Sequence, residues 1–366
     1  MTERAEAEVP SFGWGDLDAE AKAATELASM VVGVVGLGLV GGSIAKAWSR
    51  RGGRTIGWSR SPETRQLAES EGVDVVASAA EVAAAADVVV LATPLSILTS
   101  SLDSIVAAVE ARSEAPTITD VGSVKAPIAA HACRVLSDPS IFVPGHPMAG
   151  TEHAGWLRAS ATLFDDRTWA LSVEEPVDLA RWTTVAWLVQ AIGAQVVPVE
   201  SAAHDDAVAL ISHLPYVLAG GLTSLVTQEP TGLAAALAAG SYHGATRVVA
   251  GDGRLLGAEL SLANAAALLP RIEALQGWLS TFSRSLSAGD RAQIERAFRA
   301  GADAPDETVR AFLDTLDPTL RPLDRTSLLA AAHEGRHIAV EASGRWFGVG
   351  GRAPASGGWI TAGGSA

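Results

Sequence analysis

From residue 31 the chain reads VVGVVGLGLVGGSIAKAW: four valines in five positions, a glycine turn, then apolar residues at helical spacing from near Ser43. An apolar run that hands over to a period of 3.6 predicts a strand, a tight turn and a helix. Short apolar runs recur at 54–59 (RTIGWS), 87–94 (DVVVLATP), 116–123 (PTITDVGS) and 141–147 (IFVPGHP), separated by Ala-rich, helix-compatible stretches. Strands alternating with helices predict a Rossmann-like, doubly wound parallel sheet. TWALSVEE and QVVPVE read as further strands around the helical VDLARWTTVAWLVQAIG, which sets this domain at 30–200.

After Ser201 the pattern changes. Ala- and Leu-rich stretches at helical spacing run to about residue 300 without strand alternation, which predicts an all-α domain at 201–300. Its apolar stripes exceed what one small bundle needs, so a surface shared between subunits, and hence a homodimer, is expected. Residues 1–29 form an N-terminal extension. Residues 301–366 form a C-terminal one, whose Gly-rich end from Ser343 is expected to be partly disordered.

Composition narrows the function. The 366 residues exceed one ordinary core, and 48% hydrophobic with 19% charged residues is the make-up of a folded chain. With 41 acidic against 27 basic residues the net charge is −14, which argues against nucleic acid or an anionic membrane as partner. The one cysteine, Cys133, forms no internal disulfide and reads as a buried, inert thiol. No Cys/His cluster has zinc-ligand spacing, so no metal is expected. The start lacks the basic and apolar regions of a signal peptide, and apolar runs elsewhere break before about 20 residues. A cytoplasmic protein is the expectation.

Gly36, Gly38 and Gly41 make a GxGxxG between the first strand and its helix, enclosing Leu37, Leu39 and Val40. That context marks a dinucleotide site: a tight turn, close backbone approach to a pyrophosphate, and a helix N-terminus behind it. An acidic residue at the end of the second strand would hold the ribose hydroxyls of NAD. Ser59 and Arg60 stand there instead. A hydroxyl and a guanidinium suit a 2′-phosphate, so the cofactor is NAD(P)+, leaning to NADP+. His146, in HPMAGTE after the fifth apolar run, and Ser123, in DVGSVK after the fourth, fall at strand ends where such sheets present ligands.

GLGLVGGS, ATP at 92–94, DVGSVK, HPMAGTE, HDDAVALISHLP at 204–215 and the TR of GATRVVAGD resemble the prephenate/arogenate dehydrogenase family over residues 31–285. The resemblance implies oxidative decarboxylation of a cyclohexadiene substrate in tyrosine biosynthesis. It makes His146 the catalytic histidine and Ser123 its partner near the nicotinamide. Thr93 and Pro94 would line the cofactor. Arg247 would clamp a substrate carboxylate, His213 would donate near the substrate side chain, and Glu152 would pair with or gate a basic residue at the mouth. Tyr216 follows SHLP where the family often has a histidine or another polar residue, and Leu256 takes a tryptophan position. The regulatory βαββαβ domain of some members has no counterpart in 301–366.

Within the family, prephenate and arogenate differ by a ketone against an amine. A β-hydroxyacid dehydrogenase or imine reductase shares the domain plan but uses a helix lysine, and none of Lys22, Lys46 and Lys125 suits that role. A nucleotide-sensing protein would bind cofactor without turnover; the HPMAGTE and DVGSVK pair argues for chemistry.

Overall fold

A computed structural model describes residues 29–151, 153–251, 253–302, 321, 322, 324–340 and 345–348. The N-terminal extension to residue 28, Glu152 and the end from residue 349 lie outside the described residues. Six strands, β1 (Val31–Val35), β2 (Arg54–Trp58), β3 (Asp74–Val75), β4 (Val88–Leu91), β5 (Thr117–Asp120) and β6 (Phe142–Val143), form a sheet in the order β3-β2-β1-β4-β5-β6. Every pairing is parallel, as expected for a doubly wound sheet. β4 and most of β1 are fully buried, the all-valine pattern of strands covered on both faces. The covering helices are α1 (Leu39–Arg50), α2 (Pro62–Ser70), α3 (Ala79–Ala85), α4 (Leu98–Glu110) and α5 (Ala126–Val135). The order reverses between β1 and β4, so the ligand crevice opens at their carboxyl ends.

The fifth apolar run, expected as one strand of this sheet, is two strands. Pro144 has no N–H to continue the ladder of β6; its carbonyl accepts Ser172 N–H at 2.9 Å, and the chain crosses into a second sheet as β7 (Gly145–Pro147). There β7 pairs antiparallel with β8 (Thr168–Ser172), which pairs in parallel with β9 (Gln195–Val199). Helix α6 (Leu179–Ala191) packs on both sheets through buried Trp182, Val185 and Val189. The C-terminal extension adds β10 (Arg321–Pro322), β11 (Ile338–Val340) and β12 (Arg345–Gly348) to this second sheet, in the order β10-β12-β11-β9-β8-β7. Its Gly-rich composition does not signal them.

Beyond β9 the chain is helical: α7 (Ser201–Val208), a π turn at Ala209–His213, α8 (Leu214–Thr227), α9 (Leu233–Ala236), α10 (Gly240–Thr246), α11 (Gly253–Ala263), α12 (Ala265–Ala288) and α13 (Arg291–Ala302). One helix follows in the extension, α14 (Arg325–His333). Pro215 explains the π turn, because it has no N–H for the carbonyl of Ile211 and the ladder widens to accommodate it. The domain buries a small apolar cluster of Ala209, Leu214 and Leu268, while Ile211, Leu225, Leu262, Leu269 and Phe298 are exposed. The run 201–227 is long and apolar enough to cross a membrane, unlike the broken runs expected, yet it carries buried His204, Asp205 and His213. Cys133 also departs from expectation. It is exposed, since α5 buries Ile128 and Ala132 and the next residue turns about 100° away.

The three parts meet at Lys125, which is completely buried. Its ammonium donates to Asp120 at the end of β5 and to the carbonyl of Gly145 on β7 at 2.6 Å, and its backbone N–H donates to Asp205 of α7 at 2.7 Å. The Asp120 carboxylate also accepts from Gly122 N–H at 2.8 Å and Gly145 N–H at 3.1 Å. Removing one partner of a buried pair strands the other. Asp120→Ala should therefore cost about 3–5 kcal/mol in urea unfolding, and the double variant with Lys125→Met less than the sum of the two single losses. An Asp120→Ala protein within about 0.5 kcal/mol of the parent would show that the pair is not the tie described.

Candidate active site

The glycine turn divides its tasks by position. Gly36 leaves β1 at φ +105° and donates to Trp58 O at 2.8 Å; a Cβ there would stand 2.6 Å from the Ala92 carbonyl oxygen. A Cβ at Gly41 would lie 2.0 Å from Gly36 O, so only glycine lets α1 pack this close to the turn. At Gly38, the N-cap of α1, a Cβ would meet nothing within 4 Å, which leaves the backbone open to an approaching group. The first turn of α1, with half-buried Leu39 and Val40, has no acidic residue and no side-chain cap. A pyrophosphate fits that donor set. Leu37 is fully buried, its side chain packed beside Gly57, so only its backbone can serve a cofactor.

At the end of β2, Ser59 is half-buried and Arg60 exposed. Ser61 caps α2 by accepting Thr64 N–H at 3.1 Å and donates to exposed Glu63 at 2.7 Å. Arg65, which sequence reasoning missed, folds back to donate to Ser59 O at 2.6 Å and Arg60 O at 3.4 Å. Two guanidinium groups thus stand at this corner. The legible signal was spacing, since a residue in the first turn of a helix faces its own capping loop. Thr93 shares a 2.8 Å hydrogen bond with Ser101, and exposed Pro94 begins a 3-10 turn at Leu95–Ile97. Ser96 in that turn donates to Glu259 of α11 at 2.7 Å, which ties the crevice rim to the helical domain.

His146 lies in the middle of β7, opposite Ala170, with 8% of its surface exposed. Its Nδ1 is 2.9 Å from His204 Nε2, and His204 Nδ1 is 2.9 Å from Asp205 Oδ1. Burial holds the His146 imidazole well below the usual histidine range, and the nearby His204, Lys125 and His213 oppose its protonation further. Burial also lowers the Lys125 ammonium, an effect that Asp120 opposes. Ser123 sits half-buried in the bend between β5 and α5, two residues before Lys125, and makes no hydrogen bond to His146.

His213, at the end of the π turn, is fully buried, and burial lowers its imidazole to about 4. Asn264 Nδ2 donates to the Asp205 carbonyl at 2.7 Å, which fixes the amide orientation, and lies 3.1 Å from His213 Nδ1. The ring therefore accepts at Nδ1 and carries its hydrogen at Nε2, a buried donor with no partner among the described residues. The structure thus brings His146 and His213 into one network. His204, Asp205, Lys125 and Asn264, which complete it, were not assigned from sequence; only the adjacent His204 and Asp205 in the helix after β9 offered a signal.

Arg247 begins the 3-10 turn after α10 and is half-buried. Tyr216 turns toward α11, its ring against Gly257, in a groove of about 500 Å³ that it lines with Val217, Gly220, Val249 and Ser261. That groove does not include the imidazoles.

Residues 44–198 match the family model for the nucleotide-binding domain of prephenate dehydrogenase, and residues 200–300 match the model for its dimerization domain. The chain is 30% identical over 285 residues to the cyclohexadienyl dehydrogenase of Zymomonas mobilis, covering 75% of this chain and 94% of that protein. Synechocystis arogenate dehydrogenase superposes with a TM-score of 0.66 at 30% identity, over 76% of this chain and 100% of that one. Prephenate dehydrogenase from A. aeolicus, solved with hydroxyphenyl propionate and NAD+, gives a TM-score of 0.69 at 25% identity, over 75% and 96%. Motifs, fold and site geometry together place the chain in the prephenate/arogenate dehydrogenase family.

Proposed function

We propose that this dehydrogenase converts prephenate to 4-hydroxyphenylpyruvate, with NADP+ as the preferred hydride acceptor, as a cytoplasmic homodimer. The observation that carries the reading is the buried, neutral His146 imidazole, whose Nε2 makes no hydrogen bond among the described residues. A neutral imidazole can accept a hydrogen bond from the substrate hydroxyl while positive charge develops on the carbon that loses hydride. When bound, the nicotinamide supplies the hydride acceptor. The bond from the ring to its carboxylate then breaks, its electron pair enters the ring, and CO₂ leaves an aromatic phenol. Ser123, at the end of β5, orients the hydroxyl with His146.

Arg247 clamps the side-chain carboxylate, because tight pairing with the ring carboxylate would oppose its loss as CO₂. His213 donates from Nε2 to the substrate side chain, which supplies the partner its buried N–H lacks. Glu152 gates a basic residue at the mouth, and Tyr216 shapes the wall behind the side chain. Gly36, Gly38 and Gly41 with the first turn of α1 hold the pyrophosphate; Thr93 and Pro94 line the nicotinamide half; Ser59 and Arg60, braced by Arg65, receive the 2′-phosphate. The exposed apolar face of the helical domain is where a second subunit docks, in keeping with the dimerization domain it matches. A second reading, arogenate oxidised directly to tyrosine, is favoured by likeness to the Synechocystis enzyme.

His146→Asn and Arg247→Ala separate chemistry from binding. The first should lower kcat by about 10²- to 10⁴-fold with little change in KM. The second should raise the KM for substrate by about 2–3 kcal/mol equivalent while the cofactor KM holds. Near-normal turnover of His146→Asn, or equal losses for both ligands in Arg247→Ala, would refute the respective role.

Cofactor choice is tested at the β2 corner. Arg60→Ala should weaken NADP+ use selectively, and Ser59→Asp should reverse the preference by repelling a 2′-phosphate and accepting from a 2′-hydroxyl. Parent enzyme that favours NAD+ about tenfold or more, with Arg60→Ala indifferent to both, would mean that this corner does not read the phosphate.

A further inference from the structure

His204 and Asp205 have no task in the mechanism above, yet they connect the catalytic imidazole to a fixed carboxylate. Asp205 is held by the start of α5, with Lys125 N–H donating to Oδ1 at 2.7 Å and Ala126 N–H to Oδ2 at 2.8 Å. The same Oδ1 lies 2.9 Å from His204 Nδ1. An acceptor there makes Nδ1 the protonated nitrogen of a neutral His204 and leaves its lone pair on Nε2. That nitrogen lies 2.9 Å from His146 Nδ1, within hydrogen-bond distance, with the two ring planes at 79°. His146 Nδ1 then carries the hydrogen. In a neutral ring, only Nε2 is left as an acceptor.

We propose that Asp205 and His204 are positioning residues that fix His146 in the Nδ1–H tautomer, so that Nε2 presents a lone pair to the substrate hydroxyl. A neutral histidine in water favours the opposite tautomer, with hydrogen on Nε2, which would meet that hydroxyl donor to donor. The relay removes this mismatch before substrate arrives. Among the described residues, the other charged and titratable groups around His146 are Lys125, Asp120 and His213, and none of them hydrogen-bonds the ring.

Asp205 also sets the second imidazole, through its backbone. Its carbonyl orients Asn264, which donates to His213 Nδ1 and leaves hydrogen on His213 Nε2. One residue thus assigns opposite polarities to two rings, an acceptor at His146 and a donor at His213. The catalytic meaning of this arrangement rests on the dehydrogenase reading; the tautomers are properties of the resting protein.

The test is ¹⁵N NMR of the histidine-labelled full-length protein near neutral pH, with the His146 signals identified by their loss in His146→Asn, alongside steady-state kinetics. The parent should show His146 as Nδ1–H with an unprotonated Nε2. His204→Ala should shift the ring toward Nε2–H and lower kcat on the order of 10²- to 10³-fold, with the cofactor KM unchanged, as a wrong-tautomer lesion does in other histidine catalysts. His204→Gln, whose side-chain oxygen can accept from Nδ1, should restore the tautomer and most of the rate. Hydrogen on Nε2 of His146 in the parent, or a His204→Ala protein that keeps both tautomer and kcat, would overturn the relay. If the parent shows the Nδ1–H tautomer but oxidises neither prephenate nor arogenate, the relay stands and the functional reading falls.

Discussion

A lysine with no exposed surface sets the terms for the rest of this molecule. Desolvating an ammonium costs several kcal/mol unless charge and hydrogen bonds compensate, and Lys125 finds its compensation in Asp120 and the carbonyl of Gly145. Those partners belong to different sheets, so satisfying the amine fixes where the parallel sheet ends and where β7 begins. The backbone N–H of the same residue holds Asp205, which brings in the helical domain. Each of the three structural parts supplies one contact to a single residue.

Chemistry inherits that arrangement. His146 follows Gly145 directly, so the contact that anchors the lysine also locates the imidazole. Desolvation, with His204 and Lys125 nearby, disfavours protonation of the ring, and the neutral form is the state that the proposed hydride removal calls for. Asp205 then acts twice, through its carboxylate toward His204 and through its carbonyl toward Asn264 and His213. On the proposed reading, the acceptor and the donor of the cleft both trace to Asp205, the residue through which the helical domain meets Lys125.

Much of this was legible in the chain. Valine runs alternating with helical stretches identified the parallel sheet, because strands buried on both faces need continuous apolar residues. Gly36, Gly38 and Gly41 were readable as a group because each has a separate steric reason to lack a side chain. The motifs carrying His146, Ser123, His213 and Arg247 pointed to the family. Less legible was anything set by tertiary pairing. β3 is too short for periodicity, the break at Pro144 looks like any strand-end proline, and β10 to β12 join the second sheet through the pairing of β11 with β9. Lys125 could not be recognised as wholly buried, nor Cys133 as exposed, because both depend on which face of α5 meets the sheet. Asn264 acts through a backbone carbonyl and a ring nitrogen that no linear pattern records.

On the proposed reading this constellation removes hydride from a cyclohexadienol with loss of CO₂. This chemistry is tested most directly by supplying the purified full-length chain with prephenate or arogenate, each with NAD+ or NADP+, while following reduced nicotinamide, CO₂ and the aromatic product together. Prephenate with NADP+ should give the highest kcat/KM, with reduced cofactor, CO₂ and 4-hydroxyphenylpyruvate formed in equal amounts. A higher kcat/KM for arogenate would contradict the substrate assignment, and reduced cofactor without CO₂, or no turnover of either substrate with either cofactor, would contradict the mechanism itself.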